Sequence, residues 1–190
     1  MEDKINKIRK LVQENGTEMD WKYHIALVVK HAKGLAKKYG ADEDIVELAA
    51  LLHDIGRLKY GPENHHITGA EETEKILKGY GFSEKTIKEV KYCVLSHRGS
   101  LDIPQETLAA KIVCNADAMS HFDVMPIFFY WRSKEHGLEE IFNWVDEKIE
   151  RDWNEKLTLP KAKKMVEENY KAIKRLLDIL RACVNKEKTI

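Results

Sequence analysis

The sequence predicts an all-α fold. Apolar residues recur at helical spacing from end to end, residues able to cap helices stand before those stripes, and no run alternates apolar and polar residues as a half-buried strand does. Ile5, Ile8, Leu11 and Val12 form a first stripe, stopped by Asn15-Gly16. Asp20 is placed to cap a second helix reaching Tyr39-Gly40, with His24, Leu27, Val28, His31 and Leu35 along one side. Asp42 caps a third, which runs to His53-Asp54 and ends near Gly56. The turn-rich loop KYGPENHHI follows. Thr68 and Glu71, at capping-box spacing, open a helix to about Lys78. Ser83 starts another, bearing Ile87, Val90, Val94 and His97, and a loop is expected at Gly99–Pro104. From about Gln105 a long helix carries Leu108, Ile112, Asn115, Asp117 and Met119, until Pro126 kinks or breaks it. FFYW at 128–131 reads as core or interface. Beyond Gly137 come two amphipathic helices. One bears Ile141, Trp144, Val145 and Ile149; the other bears Met165, Val166, Tyr170, Ile173, Leu177, Leu180 and Val184. They carry no concentrated chemistry and read as structural, packing on the core or forming a homodimer face.

The 190 residues suit a single domain, 1–190, with a substantial core. Lys+Arg and Asp+Glu both number 32, so no net field draws long nucleic acid or anionic membrane, and any phosphate contact must come from a local site. Cys93, Cys114 and Cys183 are too scattered for a disulfide framework or a zinc ribbon and read as reduced thiols. The N-terminus is charged from its second residue, unlike a signal peptide, and no window is apolar enough for a membrane span. The expected compartment is the cytoplasm.

Four polar residues break the apolar stripes: His24, His53, Asp54 and Asp117, on three separate predicted helices. A buried imidazole beside a buried carboxylate is costly unless each finds a partner. Imidazole and carboxylate together suit Mn, Fe, Co, Ni or Zn. Each residue also has a plainer reading. His24 and His53 can be hydrogen-bonded core histidines, Asp54 can orient His53, and Asp117 can satisfy Asn115 or a backbone amide. Spacing alone leaves both readings open.

The order of these residues, with its surroundings, resembles the HD superfamily of metal-dependent phosphohydrolases. DWKYHIALVVKHAKGLAKKYGADEDIVELAALLHDIG is similar to that family's first three core helices, and HHITGAEETEKIL, VKYCVLSHRG and NADAMSHF are similar to its later segments. The resemblance covers about residues 20–123 and leaves a C-terminal helical extension at about 138–186. It implies a helical core, a divalent metal (Mn, Mg, Fe, Co, Ni or Zn) on His24, His53, Asp54 and Asp117, and hydrolysis of a phosphoester or phosphoanhydride.

On that reading Asp54 also orients water, and Arg57 supplies positive charge to the phosphorus centre. His65, His66 and His97 sit where two-metal members of the family place further ligands. Here they are expected, with Arg98, to line the pocket and bind substrate phosphate, with one ion rather than two. His121, one turn after Asp117, can join the site, while His31, among lysines, and Lys59, in the loop, are expected in solvent. In bacterial 5′-deoxynucleotidases a catalytic glutamate follows the HD pair by three residues; Arg57 stands there in this sequence, so their specific mechanism is not expected. The Gly-Tyr-Pro signature of cyclic-dinucleotide phosphodiesterases is absent too. The expected substrate is a small phosphorylated molecule, foremost a nucleotide. The alternatives are a non-catalytic metal- or nucleotide-binding regulatory module and a structural dimer with an incidental metal.

Overall fold

The computed structural model describes residues 1–98 and 103–187, the side chains of 184–187 aside. Most of the expected loop at Gly99–Pro104, and the side chain of Val184, therefore lie outside the described residues. In chain order the helices are α1 (Glu2–Asn15), α2 (Glu18–Asp20), a first π-helical turn (Trp21–Ile25), α3 (Ala26–Tyr39), α4 (Glu43–Leu52), α5 (Ile55–Tyr60), α6 (His65–Gly79) and α7 (Glu84–Ser96). Then follow α8 (Leu108–Asp123), α9 (Met125–Arg132), α10 (Leu138–Arg151), a second π-helical turn (Asp152–Lys156) and α11 (Pro160–Glu187). No strand occurs among the described residues, as the all-α expectation requires.

Two helices run through the middle. Along α4 every residue from Ile45 to Leu52 is buried, and α8 is buried from Ala109 to Phe122 except at Lys111. A helix apolar on all sides has no solvent face to offer, so its neighbours must surround it. α3 packs on both, α7 joins them, and α1 covers α4. Each large side chain buried in this core, such as Leu48 or Ile112, contributes about 1.5–3 kcal/mol of transfer free energy. Glu47 is a buried carboxylate on α4, neutralised by Arg9 of α1 and Lys33 of α3. It ties three helices together, and removing either cation would leave charge stranded.

Local chemistry corrects several expected boundaries. Asp20 does not cap the second helix. Thr17 does, its hydroxyl accepting from the Asp20 amide while the Asp20 carboxylate accepts from the Thr17 amide. The third helix stops at Leu52 rather than near Gly56, and α5 occupies part of the expected loop. Thr68 opens no helix: α6 begins three residues earlier, after Asn64 in the left-handed region (φ 47°), and the Thr68 hydroxyl is buried against α5. His31, expected in solvent, is buried and pairs with Asp123 at 2.6 Å, joining α3 to the end of α8. Lys59, expected as a solvated charge, pairs with Glu72.

The C-terminal helices pack on the core. Asn115 of α8 accepts from the Leu159 amide at 3.0 Å and donates to Thr158 Oγ1 at 3.0 Å, pinning the segment that enters α11. Ala162, Val166, Ile173 and Leu177 bury one face of α11, and Trp153 stacks on Tyr170 at 4.2 Å.

α5 and α6 meet backbone to backbone. A Cβ on Gly56 would lie 2.3 Å from the His65 carbonyl oxygen and 2.5 Å from the Gly69 amide nitrogen. Backbone cannot yield as a flexible side chain does. Gly56→Ala should therefore lower the unfolding free energy by about 1–3 kcal/mol or more, as overpacking does. Urea unfolding checks this; a variant as stable as the parent chain would contradict the packing.

Candidate metal centre

The first π turn presents His24, the end of α4 presents His53, and Asp54 occupies the joint before α5 with φ −104° and ψ 10°. That bridge-region backbone is sparsely populated and common among active-site residues. α8 contributes Asp117 and His121. His65 opens α6 and His97 closes α7. The side chains of His24, His53, Asp54 and Asp117 converge, with an oxygen of each aspartate within 3.9 Å of both His24 Nε2 and His53 Nε2.

The tautomers follow from the hydrogen bonds. His53 Nδ1–H donates to the Ala50 carbonyl at 2.8 Å, His97 Nδ1–H to the Val94 carbonyl at 2.6 Å, and His65 Nδ1–H to the Pro62 carbonyl at 2.7 Å. Ser120 spends its hydroxyl proton on the Asp117 carbonyl (2.8 Å), so at 3.1 Å it accepts from His24 Nδ1–H. Each Nε2 is left with a lone pair. Yet the Nε2 atoms of His24 and His53 face each other at 3.0 Å, and those of His65 and His97 at 3.2 Å. Two lone pairs at that distance repel unless a cation takes both.

Carboxylates complete each pair. Asp117 Oδ1 and Asp54 Oδ2 lie 3.5 and 3.4 Å from His24 Nε2, while Asp54 Oδ1 lies 3.4 Å from His65 Nε2. Two groups able to hold a metal result, His24–His53–Asp117 and Asp54–His65–His97, and Asp54 turns one oxygen to each. The donor set passes the test of fit: neutral imidazole and carboxylate suit divalent ions of intermediate hardness.

Electrostatics hold these protonation states. Burial drives His53 toward its neutral form, and His97 down to about 3. Burial also opposes the charge on Asp54 and Asp117, but the neighbouring groups outweigh it and keep both carboxyls well below the usual range. These are His53, His24 and Arg57 for Asp54, and Lys156 and His121 foremost for Asp117.

A sequence profile of the HD domain matches residues 21–121, more than half of the chain. The chain belongs to the HD-domain family. An uncharacterized protein of Methanocaldococcus jannaschii is 35% identical over 89 residues, 44% of this chain and 47% of that protein. YueE of Bacillus subtilis, named as a candidate phosphohydrolase, is 30% identical over 112 residues, 50% of this chain and 63% of its own length. The matched stretch thus spans about half to two thirds of these relatives. Among solved structures, Bacillus subtilis YpgQ in complex with ADP superposes with a TM-score of 0.71 at 24% identity, covering 99% of this chain and 95% of that one. That likeness shows a shared fold that includes the C-terminal helices.

Beyond the HD match, the site continues into a cavity of about 440 Å³. Asp54, Asp117, His65 and His97 lie among its lining. Arg57, Arg98 and Arg132 line it too, together with Phe128, Trp131 and Trp144. Arg57 is anchored rather than free: its Nε donates to Asp54 Oδ2 at 2.9 Å and its Nη2 to Asp20 Oδ1 at 3.2 Å. Arg98, expected near substrate, does border the cavity. His66 does not; adjacent helical positions point about 100° apart, and beside His65 it is buried away from the lining with its Nδ1 unpartnered.

The expectation that the C-terminal helices carry no chemistry fails. Lys148 and Lys156 line the cavity, and Asp152 is fully buried behind it. Lys156 donates to Asp117 Oδ2 at 2.9 Å, and His121 Nδ1–H to Asp152 Oδ2 at 2.7 Å. The sequence held a signal for them: Lys148 and Asp152 interrupt the Ile141–Val145–Ile149 stripe as His24 interrupts its own. FFYW likewise proves more than core, since Phe128 and Trp131 border the cavity.

The depressed histidine and aspartate values act in the same direction on stability. The unfolded chain takes up protons at imidazoles from about pH 6.5 downward and at carboxyls from about pH 4. The folded chain resists both, so the stability of the metal-free protein should be full near pH 7 and fall as pH drops toward about 3, the value at which His97 titrates in the folded chain. Thermal unfolding followed by circular dichroism between these limits checks the sign; a midpoint that rises on acidification would contradict the lowered proton affinity of the buried histidines and aspartates.

Proposed function

We propose that the chain is a metal-dependent phosphohydrolase that cleaves a phosphoester or phosphoanhydride of a small molecule, most specifically a nucleotide. The observation that carries this is the pair of facing imidazole couples divided by Asp54, at the floor of a cavity with cationic and aromatic walls. In this reading His24, His53, Asp54 and Asp117 hold one divalent ion. Asp54, His65 and His97 hold a second, in place of the phosphate contact expected from the sequence for the two histidines. When bound, such ions polarise phosphorus and acidify water.

The chain's own groups do the rest. Arg57 fixes the Asp54 carboxylate that both groups share. Arg98 and Arg132 offer charge to the equatorial oxygens, where it builds up as the bond to phosphorus changes. Trp131 and Trp144 give the same cavity an aromatic wall, with the Arg132 guanidinium over the Trp144 ring at 4.3 Å. The ADP bound by YpgQ supports a ligand of this size and charge.

A screen over nucleoside mono-, di- and triphosphates with added Mn, Mg, Co, Ni or Zn, joined to elemental analysis, tests the proposal. The parent chain should hydrolyse at least one of them only when metal is supplied. Asp54→Ala should lose bound metal and activity while keeping its helical circular dichroism. Arg57→Ala should keep metal and lose about 10- to 100-fold in turnover, the range seen when a group that orients a ligand is removed. Full metal content in Asp54→Ala would refute the ligand assignment, and a parent chain inactive with every metal would refute the enzyme.

A further inference from the structure

We infer that Lys156 is a positioning residue for Asp117: its ammonium engages Oδ2, so that Oδ1 alone is presented to the paired imidazoles of His24 and His53. The inference rests on the metal-dependent reading above.

Three observations support it. Lys156 Nζ lies 2.9 Å from Asp117 Oδ2, while Asp117 Oδ1 is the oxygen that faces His24 Nε2 (3.5 Å) and His53 Nε2 (3.9 Å). The two oxygens of one carboxylate are thus divided between two tasks. Second, Lys156 is itself anchored from behind, 3.7 Å from Asp152 Oδ1, and Asp152 is held in turn by Lys148 at 3.2 Å and by His121 at 2.7 Å. A side chain with four rotatable bonds would not otherwise hold one geometry. Third, Asp152 and Lys156 open and close the second π turn. Single π turns inside helices are uncommon and recur at functional sites.

The consequence concerns how Asp117 can bind. A carboxylate with both oxygens free can grip a divalent ion with one oxygen or two. With Oδ2 committed to an ammonium, a bound ion would be offered Oδ1 alone. Removing the ammonium should therefore spare or tighten metal binding, because a nearby positive charge is lost, and yet impair turnover. A residue needed only for folding would lower both together.

The test compares the parent chain with Lys156→Met and Lys156→Arg, using Mn(II) as the probe. Lys156→Met should bind Mn(II) at least as tightly by calorimetry and lose about 10- to 100-fold in kcat with KM little changed. The electron paramagnetic resonance spectrum of its bound Mn(II) should differ from the parent's, reporting the altered carboxylate. Lys156→Arg, which keeps a charged donor, should recover most of the loss and the parent spectrum. A Lys156→Met protein with parental kcat and spectrum overturns the inference, as does a folded Lys156→Arg protein no better than Lys156→Met. If Lys156→Met does not fold, Asp152→Asn decides instead, since it loosens Lys156 without removing it; parental kcat and spectrum there overturn the inference. A parent chain that binds Mn(II) but hydrolyses no nucleotide refutes the proposed activity, and the spectra still decide the role of Lys156.

Discussion

Three histidines of the site share one device, and the remaining geometry depends on it. His53, His97 and His65 each give their Nδ1 proton to the carbonyl three residues earlier, at Ala50, Val94 and Pro62. Carbonyls in the last turn of a helix lack an amide partner, and a side-chain donor is one of the few ways to satisfy them without water. The bond therefore does two jobs. It closes the end of α4 or α7, and it aims an unprotonated Nε2 into the molecule. Where a helix stops and where a lone pair points become one constraint, which is why Asp54 can sit on the joint directly after His53 and face both imidazole couples.

α8 is the common wall. It is flanked by both π-helical turns, one bearing His24 and the other Asp152 and Lys156, and it presents Asp117 and His121 one turn apart toward them. A π turn carries one more residue than the α-helical turn it replaces, so it shifts the side chains beyond it without breaking the helix. His24 and Lys156 thereby reach the same carboxylate, Asp117, from opposite directions.

Much of this was legible from the chain alone. Polar residues interrupting apolar stripes marked His24, His53, Asp54 and Asp117, and the helical period gave the all-α class. What escaped has physical causes. Lys148 and Asp152 break a stripe in the same manner, but a lysine on an amphipathic helix ordinarily lifts its head into water, and nothing local says that the ammonium is turned inward. A π turn leaves no mark in an apolar pattern. His31 looked solvated because its partner, Asp123, lies 92 positions away in sequence. Thr68 had the spacing of a capping box, but the carbonyl of His65 packs against Gly56, and that contact starts α6 earlier than any local rule would.

Charge balance explains how so many ionisable groups can be buried together. Asp54 is matched by Arg57, and Asp117 and Asp152 are matched by Lys156 and Lys148, while burial drives His53, His97 and His121 toward their neutral forms. With Asp20 also on Arg57, cations and carboxylates lie directly against one another, and their mutual attraction offsets part of the desolvation cost that each buried ion carries. The proposed divalent ions would tip that balance strongly positive. An anion entering the cavity would then restore it, and phosphate, with several oxygens and more than one charge, restores it best. The same arithmetic argues against a neutral ligand: with metal in place it would leave the excess unanswered. Metal and phosphate affinity are on this account two halves of one electrostatic requirement, set by carboxylates whose charge is already largely matched before either ligand arrives.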